Sequence, residues 1–368
     1  MHVLVVEPFD GGSHRNFLDG WLAHSRHRFT RLSLPGKFWK WRMRHGAATL
    51  ADQAAALTER DDPPAAVVGS SMLNLAEFRG VVPAALAARP MAIYFHENQF
   101  AYPDRRGHDR DRHFALTNLT SALAANAAWF NSAFNRDSML AGIDQFLKQM
   151  PTRHLKDAPG RIDHKSHVLP PGIESIEAAR EPSPGPLHIG WVARWEHDKN
   201  PEDFFHALDA LAQRGQAFSL SVLGESFRQY PEIFDWARTR FSDRLVHFGY
   251  RPSRAAYIDA LRQMDVVVST ARHEFFGLAV MEAAAAGCIP VLPNRLVYPE
   301  LFDSAAVFYE GDIDSLTETL AQLAEAKQRG RLNHLTSRSA VEVAARYHWP
   351  SSARRLDEAV ESLVGCYS

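Results

Sequence analysis

Short apolar, β-branched runs alternate with helical patterns twice along this chain, and that alternation restricts the fold more than any other feature. HVLVVE, AAVVGS, MAIYFH and AAWFNS in the first half each lead into a polar loop and then a helix; LHIGWVA, FSLSVLG, RLVHFGY, MDVVVST, CIPVLPN and AAVFYE repeat the scheme in the second. Strands separated by helices imply parallel sheets wound on both faces, with ligands outside the carboxyl ends of the strands. The 368 residues, 46% of them hydrophobic, exceed the roughly 250–300 at which one core stops growing, so two domains are expected. Between the halves, HVLPPGIE and AAREPSPGP are rich in proline and glycine and read as a hinge. The expected division is a first Rossmann-like domain over 1–172, a linker over 173–186, a second Rossmann-like domain over 187–346, and a last amphipathic helix within 347–368.

Composition removes several function classes. No apolar run approaches the roughly 20 residues of a membrane span, and MHVLVVEPF enters a strand without the charged start of a signal peptide, which predicts a cytoplasmic protein with no membrane partner. Cys288 and Cys366 lie far apart, so neither a zinc site nor a disulfide framework is indicated, and no metal is expected. The net charge of −2 conceals a polarity. Residues 1–170 carry 21 Lys and Arg against 16 Asp and Glu, a balance of +5; residues 171–368 carry 20 against 27, a balance of −7. An anionic partner for the first half is one reading, mixed surface charge the other.

The densest chemistry lies in residues 272–290, RHEFFGLAVMEAAAAGCIP, where Glu274 and Glu282 have seven residues between them. After the buried strand VVVST comes a loop and then a helical run over 277–286. That puts Gly277 at a helix start, where the first amides lack acceptors, the helix dipole is positive and an anion can approach the backbone. Glu274 in the loop is placed to meet sugar hydroxyls, and Glu282 on the helix to accept both hydroxyls of a ribose. An Ala-rich core helix with two surface glutamates is the bland alternative. Further back, LHIGWVA runs into RWEHDKNPE, setting Arg194 and Lys199 between a strand end and a helix start, where two cations can converge on a diphosphate.

These segments resemble family 4 of the retaining glycosyltransferases, whose signature E-x-F-G-L-x-x-x-E-A-x-A-x-G-x-P is met by Glu274, Phe276, Gly277, Leu278, Glu282, Ala283 and Gly287, with Pro290 one residue past the position of the final proline. The resemblance implies the GT-B architecture, two Rossmann-like domains facing a central cleft with the C-terminal helix crossing back to the first. It also implies that the first glutamate holds the sugar, that the Gly277 and Leu278 amides hold phosphate, that Glu282 holds ribose, and that Arg194 and Lys199 neutralise the departing nucleotide in place of a metal. Gly249 and Tyr250 of GYRPS would line the nucleobase wall. His96 matches the histidine that related enzymes place beside the transferred sugar.

The first half supplies the acceptor candidates. EPFDGGSHR puts Gly11 and Gly12 after the first strand as further donor-binding candidates, where the backbone can be approached closely, with Ser13 and His14 following as acceptor candidates; a Gly-Gly pair also makes an ordinary turn. His96, Glu97, Asn98 and Gln99 crowd the end of AIYFHENQF. Asn131 and Ser132 end another strand, Ser132 either touching an acceptor or capping the helix that begins at Ala133. Residues 37–50 carry Lys37, Lys40, Arg42 and Arg44 with no acid, interleaved with Phe38, Trp39 and Trp41. Cations with flat aromatic faces suit an RNA loop; an amphipathic segment that buries its tryptophans is the alternative. Residues 105–113 and 148–167 are further basic stretches.

EPFDGGSHR, LPGKFWKWRMRHGA, SSMLNLAEF, YFHENQFAYP and FNSAFNRDSM together resemble the tRNA-queuosine α-mannosyltransferases over most of residues 1–175. That resemblance implies GDP-mannose as donor and, as acceptor, the cyclopentene-diol of queuosine in tRNA(Asp). It also implies retention of configuration without a protein nucleophile or metal, and closure about Pro171 and Gly172. Two alternatives stand beside it: a family 4 transferase acting on a lipid or envelope glycan, and a non-catalytic RNA-binding protein of the same fold.

Overall fold

The computed structural model describes residues 1–58, 62–101, 112–150, 155–179, 185–226, 229–332 and 335–367. It divides into two compact units, Met1–Gly172 with Trp349–Ser368, and Ile173–His348.

The first unit is built on six parallel strands: β1 (His2–Asp10), β2 (Arg28–Pro35), β3 (Ala66–Ser70), β4 (Met91–Phe95), β5 (Ala127–Phe130) and β6 (Ser166–Val168), in the order β2-β1-β3-β4-β5-β6. Period-two alternation sends Leu4 and Val6 of β1 to one face, with Val67, Ile93, Phe95 and Phe130. It sends Val3 and Val5 to the other, with Val68, Tyr94 and Trp129. Both faces are therefore buried, which is why these strands read as continuous apolar runs.

Two strands extend the expected set. RFTRLSLP (β2) has no fully buried residue and lies at an edge, so its apolar signal is diluted by Arg28 and Arg31; β6 is three residues long, too short to register as a run.

The C-terminal helix Trp349–Gly365 belongs to this first unit, as expected. It buries Trp349, Ala353, Leu356, Val360 and Leu363 beside Phe17 and Trp21. Its Asp357 is also buried, accepting hydrogen bonds from the Trp21 indole N–H at 2.9 Å, the Ser25 hydroxyl at 2.6 Å and the Arg26 amide at 2.9 Å.

The second unit carries β7 (Leu187–Val192), β8 (Phe218–Leu223), β9 (Leu245–Gly249), β10 (Val266–Val268), β11 (Ile289–Pro293) and β12 (Val307–Tyr309), all parallel, in the order β12-β11-β10-β7-β8-β9. Every strand anticipated for this half is present. The strand order reverses between β7 and β10, so the loops leaving these two strands diverge and open a crevice, the place where doubly wound sheets bind ligands. The start of the proline-rich stretch is anchored to this unit: the Ile173 amide donates to the Tyr347 carbonyl at 2.7 Å and the Ala179 amide to that of Ala286 at 2.9 Å. Residues 180–184 lie outside the described residues.

Candidate active site

Both loops at the β7/β10 crevice carry the anticipated residues. Lys199, past the end of β7, is buried and reaches across to the loop after β10. Its Nζ donates to the His273 carbonyl at 2.9 Å and to Glu274 Oε2 at 3.1 Å, and lies 3.4 Å from Asp198. Burial opposes the charge on Lys199, but Glu274 and Asp198 outweigh it and raise the ammonium pKa, with Arg194 opposing as a like charge nearby. Burial likewise works against the Glu274 carboxylate, yet Lys199 prevails and lowers its pKa. The pair is therefore ionised at neutral pH, two opposite charges waiting in a partly dry crevice. His273 stays neutral, its pKa pushed down to about 4 by burial first and Lys199 second. Arg194 is more exposed and sits 3.2 Å from Glu196.

The helix expected over 277–286 spans Leu278–Ala285, with Gly277 before it at φ 80°. This left-handed backbone favours glycine, and an added Cβ would also stand 3.3 Å from the Tyr298 ring. Glu274 Oε1 accepts from the Phe275 amide at 3.1 Å, which aims the carboxylate back along the loop. Phe276 is buried with its ring edge-on to Tyr347 at 5.4 Å, so this position contributes backbone and packing. Glu282 is held by Arg254 at 2.6 Å and by the Tyr257 hydroxyl at 3.0 Å. Gly249 ends β9 at φ 107° and the Tyr250 side chain is 73% exposed.

On the first unit, Gly11 precedes the helix Gly12–His24, with Gly12 and Ser13 exposed and His14 buried. His96, at the end of β4, lies with its ring centroid 4.1 Å from that of His14. Burial first, then His14, hold its pKa well below the ordinary value, so it is neutral. Glu97 is half-buried 3.9 Å from His14 Nε2.

Other candidates are committed to the scaffold. Asn98 is buried, donating to Asn135 Oδ1 at 2.9 Å and accepting from the Phe100 and Ala101 amides. The Gln99 amide donates to Asn118. Asn131 bridges the His96 carbonyl and the Asn135 amide group. Ser132 caps the helix Ala133–Lys148 by accepting from the Asn135 amide.

The basic aromatic segment forms the helix Trp39–Ala55, preceded by Phe38 at φ 57°. Trp39 packs on Phe114 at 5.1 Å, with Lys40 Nζ 5.6 Å from the Trp39 ring and Arg44 5.2 Å from that of Phe114. Phe38 and Trp41 project outward, 79% and 61% exposed. Arg42 donates to the Pro35 carbonyl and contacts His45; Lys37 is exposed. Of the further basic stretches, residues 105–111 and 151–154 lie outside the described residues.

Sequence reasoning passed over Glu7, Asp198, Arg254, Tyr257 and His273. Glu7 carried a signal, an acid inside an apolar run; Arg254 and Tyr257, three apart on one helix face, carried a weaker one.

Among the described residues one group of possible metal ligands, Glu7, His14 and His96, has its ligand atoms within 4.8 Å of one another. Glu7 already accepts from the Phe9 amide and the Ser70 hydroxyl and meets His14 Nδ1. Among the described residues no helix is long and apolar enough to cross a membrane.

Residues 2–173 match the family model of the tRNA-queuosine alpha-mannosyltransferase N-terminal domain, and residues 173–339 that of glycosyl transferases group 1. The tRNA-queuosine alpha-mannosyltransferase of Drosophila melanogaster is 38% identical over 313 residues, 82% of this chain and 81% of that protein. Among solved structures, sucrose-phosphate synthase from Thermosynechococcus elongatus has a TM-score of 0.70 at 12% identity, covering 99% of each chain. Anabaena HepE in complex with UDP has a TM-score of 0.69 at 15% identity, covering 98% of this chain and 100% of its own. At such identities the structural likeness speaks for the glycosyltransferase fold, whereas the sequence likeness is specific: the chain belongs to the tRNA-queuosine α-mannosyltransferase family.

Proposed function

We propose that this glycosyltransferase moves mannose from GDP-mannose to the cyclopentene-diol of queuosine at the wobble position of tRNA(Asp), with retention and without a metal. The observation that carries the transfer chemistry is Lys199 held against Glu274 at the β7/β10 crevice, beside a helix start with glycine at φ 80°. The acceptor follows from the match of residues 2–173 and from the relative's activity.

In this reading the diphosphate lies on Arg194, Lys199 and the Gly277 and Leu278 amides. Ribose meets Glu282, which Tyr257 and Arg254 orient. The base stands near Gly249 and Tyr250. Glu274 takes a mannose hydroxyl. Negative charge grows on the leaving phosphate as the anomeric C–O bond breaks, and preset cations and amides stabilise it without reorganising. The acceptor oxygen bonds to the anomeric carbon on the face the diphosphate leaves, and its proton passes to a departing phosphate oxygen. Glu274 and Glu282 are ligands here, so the two-carboxylate scheme of glycosidases does not apply.

The test is to incubate the protein with queuosine-containing tRNA and a panel of nucleotide sugars, then weigh the digested nucleosides. A hexose gained on queuosine with GDP-mannose alone, unchanged by chelator, is the expected result. A gain from another donor, or loss of activity on chelation, contradicts the reading.

A further inference from the structure

Glu7 of β1 and His14 of the helix that follows it form a buried polar pair that the transfer scheme leaves unused. Glu7 is 1% exposed and His14 3%. One Glu7 oxygen accepts from the Phe9 amide at 2.8 Å and the Ser70 hydroxyl at 2.9 Å; the other accepts from His14 Nδ1 at 3.0 Å. A carboxylate gripped this way offers only lone pairs, which fixes the His14 proton on Nδ1. Nε2 is then the atom offered outward. It has no hydrogen-bond partner among the described residues and lies 3.9 Å from Glu97. Leaving it so is costly unless a ligand meets it.

Local charge selects the ligand. A glycine-rich turn entering a helix after the first strand ordinarily suits phosphate, but acids surround this one. Glu7 faces the ring from β1 and Glu97 from the loop after β4. Asp10, farther off, is occupied by Arg15, Arg31 and Ser33, and His96 beside the ring is neutral. Burial pulls the His14 pKa down, yet Glu7, Glu97 and Asp10 together raise it. The glycine also has its own reason: a Cβ on Gly11 would stand 3.1 Å from the Gly36 Cα, so backbone packing within the chain accounts for it.

We propose that His14 Nε2 and the Glu97 carboxylate hold the two hydroxyls of a neutral vicinal diol, with Glu7 as the positioning residue that sets the imidazole. This rests on the acceptor reading above and deepens it, since the diol is that of queuosine. Before transfer Nε2 accepts one hydroxyl hydrogen and Glu97 the other; on attack the hydrogen of the reacting hydroxyl leaves its protein acceptor for the departing phosphate oxygen. Glu7→Gln reverses the ring. The amide N–H₂ of glutamine faces Nδ1, the imidazole proton moves to Nε2, and Nε2 donates where it formerly accepted.

The test uses the full chain, with queuosine tRNA varied at fixed GDP-mannose and GDP-mannose affinity measured separately by calorimetry. Glu7→Gln and His14→Gln should each lower kcat/KM for tRNA by about 10²-fold, the scale of losing a built-in partner for a substrate hydroxyl. The GDP-mannose Kd should move less than about two-fold. Wild-type kcat/KM should fall as pH drops through the raised His14 pKa, because protonated Nε2 cannot accept. The residual activity of Glu7→Gln should lack that limb, because its neutral imidazole already carries the proton on Nε2, a change that packing alone would not cause. If Glu7→Gln does not fold, His14→Gln, which leaves Phe9 and Ser70 bonded to Glu7, carries the comparison. Unchanged tRNA kinetics in a folded variant overturn the proposal, as does weakened GDP-mannose binding with unaltered use of tRNA, which would make the pocket a phosphate site. A wild-type protein that adds no hexose to queuosine tRNA instead overturns the acceptor reading.

Discussion

Lys199 and Glu274 illustrate at the scale of single residues why this crevice holds charge. Each is disfavoured by burial and sustained by the other. Replacing Lys199 with methionine removes a preset cation facing the leaving phosphate and should lower kcat by about 10²–10³-fold. It also removes the main influence that opposes burial at Glu274, so any acidic limb in kcat that reports Glu274 should move to higher pH; a limb that stays put would show that Lys199 does not set the glutamate. The stability linkage has the matching sign. Glu274 is depressed below its ordinary 4.5, so its contribution is present above that value and lost as pH falls through the lower folded one. The five residues Arg194, Lys199, Glu274, Gly277 and Glu282 were legible because they lie in two short contiguous motifs. Their partners Asp198, Arg254 and Tyr257 were not. Whether Tyr257 meets Glu282 is settled by how the helix Arg254–Arg262 packs beside Leu278–Ala285, and no spacing along the chain encodes that.

Among elements, the helix Trp39–Ala55 divides its aromatics between two tasks. RNA contact and burial were rival readings of KFWKWR, and the structure allots one tryptophan to each geometry: Trp39 against Phe114, Trp41 to solvent. Alternation alone could not reveal this, since both residues sit in the first helical turn and only the surrounding Phe9, Met43, Met72 and Phe114 decide which is covered. Trp41→Ala should therefore weaken tRNA binding by the roughly 1–3 kcal/mol of one stacked base and leave the melting temperature unchanged, while Trp39→Ala should lower it. Gel shift and thermal melting on the same two proteins distinguish them, and equal effects on both measurements would refute the division. Lys40→Glu with Arg42→Glu should impair use of tRNA while sparing donor binding, with a shallower salt dependence as phosphate contacts are lost. Part of any Arg42 effect is structural, because its side chain also ties the helix to Pro35. The edge strand β2 was illegible for a related reason: a half-exposed strand need not be apolar, so RFTRLSLP lacks the pattern that disclosed its neighbours.

For the whole molecule, the chain passes between two separately cored units twice, at Gly172/Ile173 and at His348/Trp349. The last helix thus stabilises the unit in which the chain began. Asp357 is its polar key. Substituting alanine strips the buried Trp21 indole and the part-buried Ser25 hydroxyl and Arg26 amide of their acceptor, at a cost of about 1–3 kcal/mol for the indole left unsatisfied, and the loss falls on the first unit. In the proposed function, donor ligands act on the other. A nucleotide bound at the β7/β10 crevice stabilises the second unit by mass action, about 2.7 kcal/mol at a hundred times Kd. Scanning calorimetry should therefore resolve two responses in one protein: Asp357→Ala lowers the transition of the first unit, GDP raises that of the second, and the two shifts appear independently when combined, as expected for sites without shared partners. A single transition that both changes move together would show that the units unfold as one.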